Sequence, residues 1–492
     1  MIVSTDIEKR SLYLLYGFVA CTVLLFAIGV KFDTPIVGFA PLALLVFVWA
    51  FANYKSLFFL LVAMLPISVE YYFSDSLATD LPTEPLMIGM MGVTFLLLIT
   101  RHNQFPFHAL KQKLFLLLLL HLFWILLCAI QGENFVHSFK VFLSKLWYVT
   151  PFSILVLFII RSEADIRKIF WCLYIPLTLA IVVTLFRHGY FYHFYFEDIN
   201  RSVGPYFRNH VNYAAMVSIF FPWLWLADKW YPRTSLKYKL IQFSKLLYVV
   251  AIYFSYTRTC MLALLAMIPF YFVMKWDLMK PTLIAVLVVA AMVVANLVKD
   301  NHYLKFAPDF KRTIYHDDFS SHLTSTFAGE DVSSMERVYR WVAAKRMFED
   351  RPWMGVGNGN FYEYYKKYAV AEFETYISDN EERSTVHNYF LLILVEQGAI
   401  GLAIFVLLTM YIFLDGNKRY QETKDREKRT ILILLQSMVA IYVNLLLSDM
   451  LESDKVGTIY FMIIGLLVAL NINLIHFPKQ GIVQASEDAD SE

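Results

Sequence analysis

Long hydrophobic runs recur along the whole chain and are separated by shorter polar connections. A helix that crosses a lipid bilayer needs about 20 mostly apolar residues, and many of the runs approach that length. We therefore predict an all-α polytopic membrane protein with about 12–14 transmembrane helices. The predicted spans are 12–30, 36–53, 57–73, 85–100, 114–131, 141–160, 168–186, 210–228, 243–256, 259–275, 281–298, 388–414, 430–449 and 457–476.

The polar connections alternate in charge. Lysine and arginine are abundant in the connections at 101–113, 161–168, 228–239, 275–280 and 415–429, whereas those at 73–85, 131–135 and 448–455 are acidic or nearly neutral. Short cytoplasmic loops carry the excess of Lys and Arg in membrane proteins. The pattern therefore predicts that both termini lie in the cytoplasm.

One connection is much longer than the others and is predicted to be periplasmic. It divides the chain into an N-terminal helix bundle at 1–298, a long loop at 299–387, C-terminal helices at 388–476 and a disordered cytoplasmic tail at 477–492. Loops of this length usually carry a function or a small subdomain. We expect this loop to be partly helical.

Two helices are predicted within the long loop. The first begins at a capping box formed by Ser333 and Glu336 and ends at Pro352. The second covers 360–376, with aromatic residues on one side. The glycine-rich stretch 354–361 between them lacks the spacing of a dinucleotide-binding motif, so we interpret it as a tight turn.

Composition supports membrane insertion and gives no indication of nucleic-acid binding or of a cysteine metal site. Only 17% of the residues are charged, 58% are hydrophobic and the mean hydropathy is +0.53, whereas soluble domains contain about 25% charged residues. The net charge of +2 and the dispersed basic residues give no indication of a nucleic-acid partner. The four cysteines lack metal-ligand spacing and are interpreted as packing residues: Cys21, Cys128, Cys172 and Cys260.

Three arginines are predicted on the outer side of the membrane, where positive residues are disfavoured. Arg201 and Arg208 lie between two predicted helices, and Arg258 lies in a short polar turn between two apolar spans. For Arg258 alone, a bound anionic ligand is no better an explanation than contact with lipid phosphates or with a carboxylate such as Asp198. Three converging arginines favour a pyrophosphate or a similar anion, because guanidinium groups bind phosphate oxygens in pairs.

Two further features are candidates for substrate contact. The aromatic stretch 190–196 is typical of an interfacial belt, and sugar stacking is the alternative. His387 stands where the long loop meets an apolar run that also contains Glu396. A histidine at this boundary is usually only an interfacial polar group, but imidazole also transfers protons readily near neutral pH.

The sequence around His387 resembles a known family. His387-Asn388 is followed after nine residues by Gly398 and then by Gly401, which matches the His-Asn…Gly-x-x-Gly signature of O-antigen ligases. The stretch 255–259, SYTRT, resembles the Ser-x-Ser-Arg-Gly turn of the wider O-antigen ligase and polymerase family. It differs in having larger residues around the arginine.

A third segment extends the resemblance. Residues 336–361, ERVYRWVAAKRMFEDRPWMGVGNGNF, are similar to the family's Arg…Trp…Pro-x-x-Gly-x-Gly-x-Gly-x-Phe loop. Together the motifs cover about residues 200–410, in the order that the family shows.

The resemblance implies a glycosyltransferase of the bacterial inner membrane, with its active site facing the periplasm. The enzyme would transfer a glycan from undecaprenyl pyrophosphate to an acceptor hydroxyl of lipid A–core, with inversion and without cofactor or metal. His387 would be the catalytic residue. The resemblance also implies binding residues for the pyrophosphate, Arg258, Arg208 and Arg201, with possible contributions from Arg337, Arg340 and Asn388.

Two alternatives stay open at the level of the sequence. A polymerase that joins lipid-linked repeat units shares much of the same pattern. A flippase for lipid-linked oligosaccharides has a compatible helix number, but transporters usually show internal repeats and charges within their spans. No such repeat is evident, and the long outer loop favours an enzyme.

Overall fold

The fold is a bundle of apolar helices, seen here in a computed structural model that describes residues 2–31, 40–74, 77–299, 332–368 and 385–478. The α-helices are α1 Ile2–Lys31, α2 Ala40–Ala52, α3 Tyr54–Met64, α4 Thr83–Thr100, α5 Lys113–Gln131, α6 Phe135–Val149, α7 Val156–Ile159, α8 Glu163–Tyr192, α9 Ile199–Val203, α10 His210–Phe220, α11 Trp223–Ala227, α12 Leu236–Tyr253, α13 Arg258–Lys275, α14 Met279–Val298, α15 Val332–Asp350, α16 Phe361–Tyr365, α17 Tyr389–Glu422, α18 Asp425–Leu445 and α19 Asp454–Asn471. A π-helical turn at Thr150–Leu155 joins α6 to α7.

Within the described ranges, nine helices are long and apolar enough to cross a membrane. This confirms the predicted class, an all-α polytopic membrane protein. Each predicted span contains a helix, but several of these helices are short or polar. For example, Pro222 separates α10 from α11, and α12 carries Lys237, Lys239 and Lys245 among its first ten residues.

The centre of the bundle is α19, which is almost entirely buried. Gly465 lets the backbone of α19 approach the π-helical turn, where an added Cβ would lie 2.8 Å from the Phe152 carbonyl oxygen. The Ser153 hydroxyl donates to the Phe461 carbonyl across this contact, at 2.8 Å. At the other extreme, α14 buries none of its apolar window against the rest of the chain, as expected of a helix that faces lipid.

The predicted span 57–73 is wrong at its C-terminal end. Helix α3 stops at Met64, because Pro66 lies in the following 3-10 turn and has no N–H to donate. The chain then forms an antiparallel hairpin of β1 (Val69–Ser74) and β2 (Leu77–Leu81). Aromatic and β-branched residues favour strands, and they are frequent in β1.

The long loop contains a helix where one was predicted. Helix α15 already includes Val332, so Ser333 is not its N-cap, and it ends two residues before Pro352. The side chains of Ser333 and Glu336 lie outside the described residues. The second predicted helix is observed only as the short α16, and residues 369–384 of its neighbourhood are likewise outside the described part.

Candidate active site

The long helix α17 is broken near its start, and the glycine-rich loop fills the break. Gly398 has φ 71° and ψ −174°, which is not helical. The backbone N–H groups of Val356 and Gly357 donate to the carbonyls of Val395 and Glu396, at 2.9 and 3.0 Å. In return the Ala399 N–H donates to the Pro352 carbonyl at 2.7 Å. The loop thus satisfies backbone groups that the break leaves without helical partners.

Glycine is required on both sides of this contact. A Cβ on Gly398 would overlap the Trp353 carbonyl, and a Cβ on Gly355 would overlap the Val395 carbonyl. Gly355 also has a positive φ of 69°. The predicted turn between two loop helices is confirmed. The structure adds that glycines from two separate sequence motifs form one backbone-to-backbone interface.

Glu396, the charged residue within the apolar run, belongs to this interface. Its carboxylate is buried and accepts a hydrogen bond from the Phe361 N–H at the start of α16, at 3.3 Å. The carboxylate therefore ties the beginning of α16 to the broken helix. This contact gives Glu396 a structural reason to stand inside a membrane helix.

His387 lies just outside α17, in the left-handed backbone region with φ 54°. The next residue, Asn388, is the N-cap: its Oδ1 accepts from the Leu391 N–H at 3.0 Å, and its Nδ2 donates to the Leu446 carbonyl at 2.9 Å. Both polar ends of Asn388 thus bind backbone. We infer that Asn388 positions His387 by fixing the start of the helix.

Loop helix α15 packs directly against the segment that carries His387. The guanidinium of the buried Arg340 donates to the Thr385 carbonyl at 3.3 Å, and the Trp341 indole donates to the Val386 carbonyl at 3.1 Å. Burial, together with the positive charges of Arg340 and Arg337, lowers the pKa of His387 to about 3. The imidazole is therefore neutral at physiological pH and faces two guanidinium groups.

The Arg258 turn is held by local hydrogen bonds. Tyr256 has φ 55° and donates its hydroxyl to the Phe194 carbonyl at 2.6 Å, while the Thr257 hydroxyl donates to the Ser255 carbonyl at 3.2 Å. Arg258 follows as the first residue of α13 and is half-buried. Tyr256 thus secures the turn to the segment that follows α8, while Thr257 braces the turn itself.

Contacts with the end of α18 place the Arg258 turn and His387 at the same end of the bundle. The Cys260 thiol, two residues after Arg258, donates to Asn444 Oδ1 at 3.1 Å. Asn388, next to His387, binds the carbonyl of Leu446. The two candidate residues therefore approach neighbouring positions of one helix terminus.

Arg201 and Arg208 have different surroundings. Arg201 forms an ion pair with Asp198 at 2.8 Å, and its side chain is 75% exposed. Arg208 is exposed and directly follows Phe207, whose ring centroid lies 4.6 Å from the Lys455 ammonium. The carboxylate partner considered for Arg258 in the sequence, Asp198, thus pairs with Arg201.

The aromatic stretch 190–196 ends α8 and packs beside the Arg258 turn. The rings of Phe194 and Phe254 stack at 4.2 Å, and Phe194 accepts the hydroxyl of Tyr256. Tyr190 and Tyr195 are exposed. Both an interfacial belt and a sugar contact are compatible with such exposed rings.

Sequence reasoning missed the turn between α18 and α19 and the lysine that binds it. Lys145 of α6 is buried, pairs with Glu452 at 2.7 Å and lies 5.9 Å from the ring centroid of Tyr389. Asp449 of the same turn accepts the Thr385 hydroxyl. A lysine inside a predicted membrane span was the available signal, since charged residues there usually have a function or a specific partner.

Residues 243–406 match the sequence model described as O-antigen ligase. This segment is similar to O-antigen ligase domains. It begins in α12, ends in α17, and contains Arg258, Arg337, Arg340, His387 and both glycines of the Gly-x-x-Gly signature. No curated protein matches the chain. The match over residues 243–406 supports the resemblance to the O-antigen ligase family that the sequence motifs indicated.

The match of residues 243–406 to the O-antigen ligase model indicates the type of activity. It implies a membrane enzyme that transfers glycosyl groups, with a lipid-linked glycan as donor and a glycan as acceptor. The apolar helices agree with a multi-pass membrane protein. Among the described residues, His, Cys, Asp and Glu side chains form no group of three or more suited to hold a metal ion.

Proposed function

We propose that this protein transfers a glycan from undecaprenyl pyrophosphate to a hydroxyl of lipid A–core. The observation that carries the proposal is the neutral imidazole of His387 beside two loop arginines, Arg337 and Arg340. Arg258 begins a helix at the same end of the bundle. A base and several guanidinium groups are the parts that displacement of a pyrophosphate requires.

In the proposed reaction, His387 accepts the proton of the acceptor hydroxyl as its oxygen attacks the anomeric carbon. The bond between that carbon and the pyrophosphate oxygen breaks on the opposite face, so the configuration inverts. The negative charge that develops on the leaving pyrophosphate is stabilised by Arg258, Arg337 and Arg340. No nucleotide or cofactor takes part, and the arginines supply the charge that a metal ion provides in other transferases.

Donor binding would also make His387 a better base. Two neighbouring arginines help to lower the pKa of the imidazole in the free protein. A bound pyrophosphate carries negative charge, which offsets those arginines and raises the pKa of His387. His387 is thereby a stronger base when the donor is bound, and its imidazole stays unprotonated while the site is empty.

Removing Arg340 is expected to change the pH dependence of the reaction. The base must be neutral, so activity falls as the pH drops through the pKa of His387. Because Arg340 lowers this pKa, Arg340→Gln should raise it, and the acid limb of kcat/KM should move to higher pH. The measurement is kcat/KM of both proteins between about pH 3 and about pH 8 in detergent, a range whose lower end reaches the pKa of about 3 that His387 has in the free protein.

The matched control for that experiment is Arg346→Gln. Arg346 belongs to the same loop helix but donates to the Tyr368 carbonyl instead of facing His387. Its substitution should leave the acid limb in place. An acid limb that is identical in wild type and Arg340→Gln would contradict the assignment of His387 as the base.

Deletion of the gene should separate a ligase from a polymerase. A ligase mutant is expected to accumulate long, lipid-linked glycan that is not attached to lipid A–core, because polymerisation precedes ligation. A polymerase mutant would instead attach or accumulate single repeat units. Electrophoresis of the lipopolysaccharide, together with extraction of the lipid-linked pool, distinguishes the two results, and single repeats would overturn the ligase proposal.

We further propose that the protein lies in the bacterial inner membrane with its active site in the periplasm. The support is the uneven distribution of Lys and Arg among the connections. In a background with Cys21 and Cys172 replaced by serine, Lys366→Cys should react with an impermeant thiol reagent in spheroplasts. Lys418→Cys, which is also exposed, should react only after permeabilisation. The opposite pattern would invert the topology.

A further inference from the structure

The β1–β2 hairpin is anchored at both of its ends to the helical bundle. Its first foot is the buried Ser68, whose carbonyl accepts from the Lys455 ammonium at 2.9 Å. Its second foot is the buried Thr83, whose hydroxyl donates to Asp454 Oδ2 at 2.9 Å. Two consecutive residues at the start of the central helix α19 therefore hold both ends of the hairpin.

One face of the hairpin combines an exposed ring with charged side chains. In the register of the two strands, Glu70 pairs with Asp80 and Tyr72 pairs with Ala78, so these four residues share a face. The Tyr72 side chain is 61% exposed. Because Ala78 is small, the residue opposite Tyr72 leaves much of its ring uncovered.

Arg208 completes this face from a different part of the chain. Lys455, which holds the first foot, also donates to the Tyr206 carbonyl and contacts the Phe207 ring. The exposed Arg208 follows directly. Partial burial and Glu70 raise the pKa of Tyr72 while Arg208 lowers it, so the guanidinium lies within electrostatic reach of the phenol.

The hairpin lies at the same end of the bundle as His387. Asp449 accepts the hydroxyl of Thr385, two residues before His387, and Asp454 accepts that of Thr83 at the hairpin foot. Four residues separate the two aspartates along the chain, so their Cα atoms lie at most about 18 Å apart. Ala78, opposite Tyr72, lies five residues from Thr83, which adds at most about 17 Å. The hairpin face is thus within reach of an oligosaccharide of several sugars whose end lies at His387.

We propose that Tyr72, Glu70, Asp80 and Arg208 form a saccharide-binding subsite that holds the glycan chain while its terminal sugar reacts at His387. This inference rests on the proposed function. A sugar ring offers an apolar C–H face to a tyrosine and hydroxyl groups to carboxylates and guanidinium groups. The anchored strands hold these side chains in place before binding, which reduces the entropy lost on association.

The charges at this face disfavour two other ligands. Burying Glu70 and Asp80 in hydrocarbon is costly, which argues against Tyr72 as a membrane anchor. The same carboxylates would repel a phosphate or a lipid headgroup of negative charge, so we assign Arg208 to sugar hydroxyl groups and not to the pyrophosphate that the sequence resemblance implied for it. Neutral hydroxyl groups avoid both penalties, because they donate hydrogen bonds to carboxylates and accept them from Arg208.

The first test measures binding without turnover. The probe is the glycan released by mild acid from the lipid-linked pool of cells that lack the enzyme, added to the full-length protein in detergent. Tyr72→Ala should weaken binding about tenfold, in line with the loss of one ring contact and its hydrogen bond. Tyr72→Phe keeps the ring and loses only the hydroxyl, so it should weaken binding less than about threefold, which is half of the tenfold effect on a logarithmic scale.

The matched control is Tyr71→Ala on the opposite face of the same strand. Tyr71 is 53% exposed, so its loss tests whether any exposed tyrosine of the hairpin matters. It should bind the glycan as wild type does. Equal binding by wild type and Tyr72→Ala would overturn the subsite, as would equal weakening by Tyr71→Ala and Tyr72→Ala, which indicates a general effect of the hairpin on the membrane interface.

Kinetics then identify which glycan occupies the subsite. Tyr72→Ala should raise the KM of one substrate about tenfold while kcat stays unchanged: the donor if the subsite holds the transferred chain, or lipid A–core if it holds the acceptor. If the subsite holds the transferred chain, the KM of a donor that carries only a single sugar should be the same in Tyr72→Ala and the wild type. Unchanged KM values for both substrates would overturn the proposal.

The binding assay is repeated on His387→Asn to separate this inference from the proposed function. If His387→Asn is fully active, the assignment of His387 as the catalytic base is wrong, regardless of how the hairpin variants bind the glycan. If His387→Asn is inactive and still binds the glycan in a manner that depends on Tyr72, both proposals stand. If Tyr72→Ala binds the glycan as tightly as the wild type does, the subsite is overturned and the catalytic assignment of His387 is unaffected.

Discussion

Replacing His387 with alanine is expected to abolish glycan transfer while the protein still inserts into the membrane. The imidazole is the proposed base, and removing a general base typically costs about 10²- to 10⁴-fold in rate. We therefore expect transfer to fall at least about 100-fold. The measurement is the amount of ligated lipopolysaccharide in cells, followed by kcat of the purified variant.

The backbone at His387 calls for a second substitution as control. With φ at 54°, alanine is strained in the left-handed region, whereas asparagine tolerates it through local hydrogen bonds. His387→Asn should therefore keep the expression level and thermal stability of the wild type and still be inactive. Ligated product at wild-type levels in either variant would remove His387 from the chemistry.

Replacing Arg258 with lysine is the second substitution with a large expected effect. Lysine keeps the positive charge but loses the planar pair of donors that binds two phosphate oxygens. A lost hydrogen bond to a charged group is worth roughly 1.5–3 kcal/mol, so kcat/KM should fall about 10- to 100-fold. Steady-state transfer with purified donor and acceptor gives this ratio directly.

Arg233→Lys is the control for that substitution. Arg233 is exposed and lies in the polar connection between α11 and α12, away from the Arg258 turn in sequence, and should tolerate lysine without loss of rate. Full activity of Arg258→Lys would indicate a point-charge or packing role for this residue.

The same assay tests whether the arginines replace a metal ion. If Arg258 and the loop arginines neutralise the leaving group, the wild type should turn over in EDTA without added ATP. Inhibition by EDTA that is reversed by Mg²⁺ or Mn²⁺ would require a different, metal-dependent mechanism.

Hydrophobic patterning predicted the class of the protein and the approximate position of its helices. Each predicted span contains a helix because length and hydropathy are local properties of a segment. A long apolar segment is stable in a bilayer when it forms a helix, which satisfies its own backbone hydrogen bonds. His387 and Arg258 were also accessible from the sequence as candidate site residues, since they stand at polar boundaries of apolar runs. Local pattern failed at 69–74, where the apolar run continues but Pro66 ends the helix and aromatic residues form a strand.

The arrangement of the site depended on contacts between distant segments. The sequence presented the glycines at 354–361 and Gly398 as separate motifs, and only the fold shows one filling the helix break made by the other. Asn388 was a candidate for substrate contact, yet its side chain caps α17 and binds Leu446. Similarly, Lys455 joins the hairpin to residues 206–207.

The sequence by itself thus determined that this is a helical membrane protein and which histidine and arginines are candidates for its chemistry. The tertiary structure decided how they are positioned: which backbone groups fill the break at Gly398, and which buried charges, such as Lys145 and Lys455, fix the turns around His387. The physical reason is that a buried polar group must find a partner. That partner can lie hundreds of residues away, where no local periodicity indicates it.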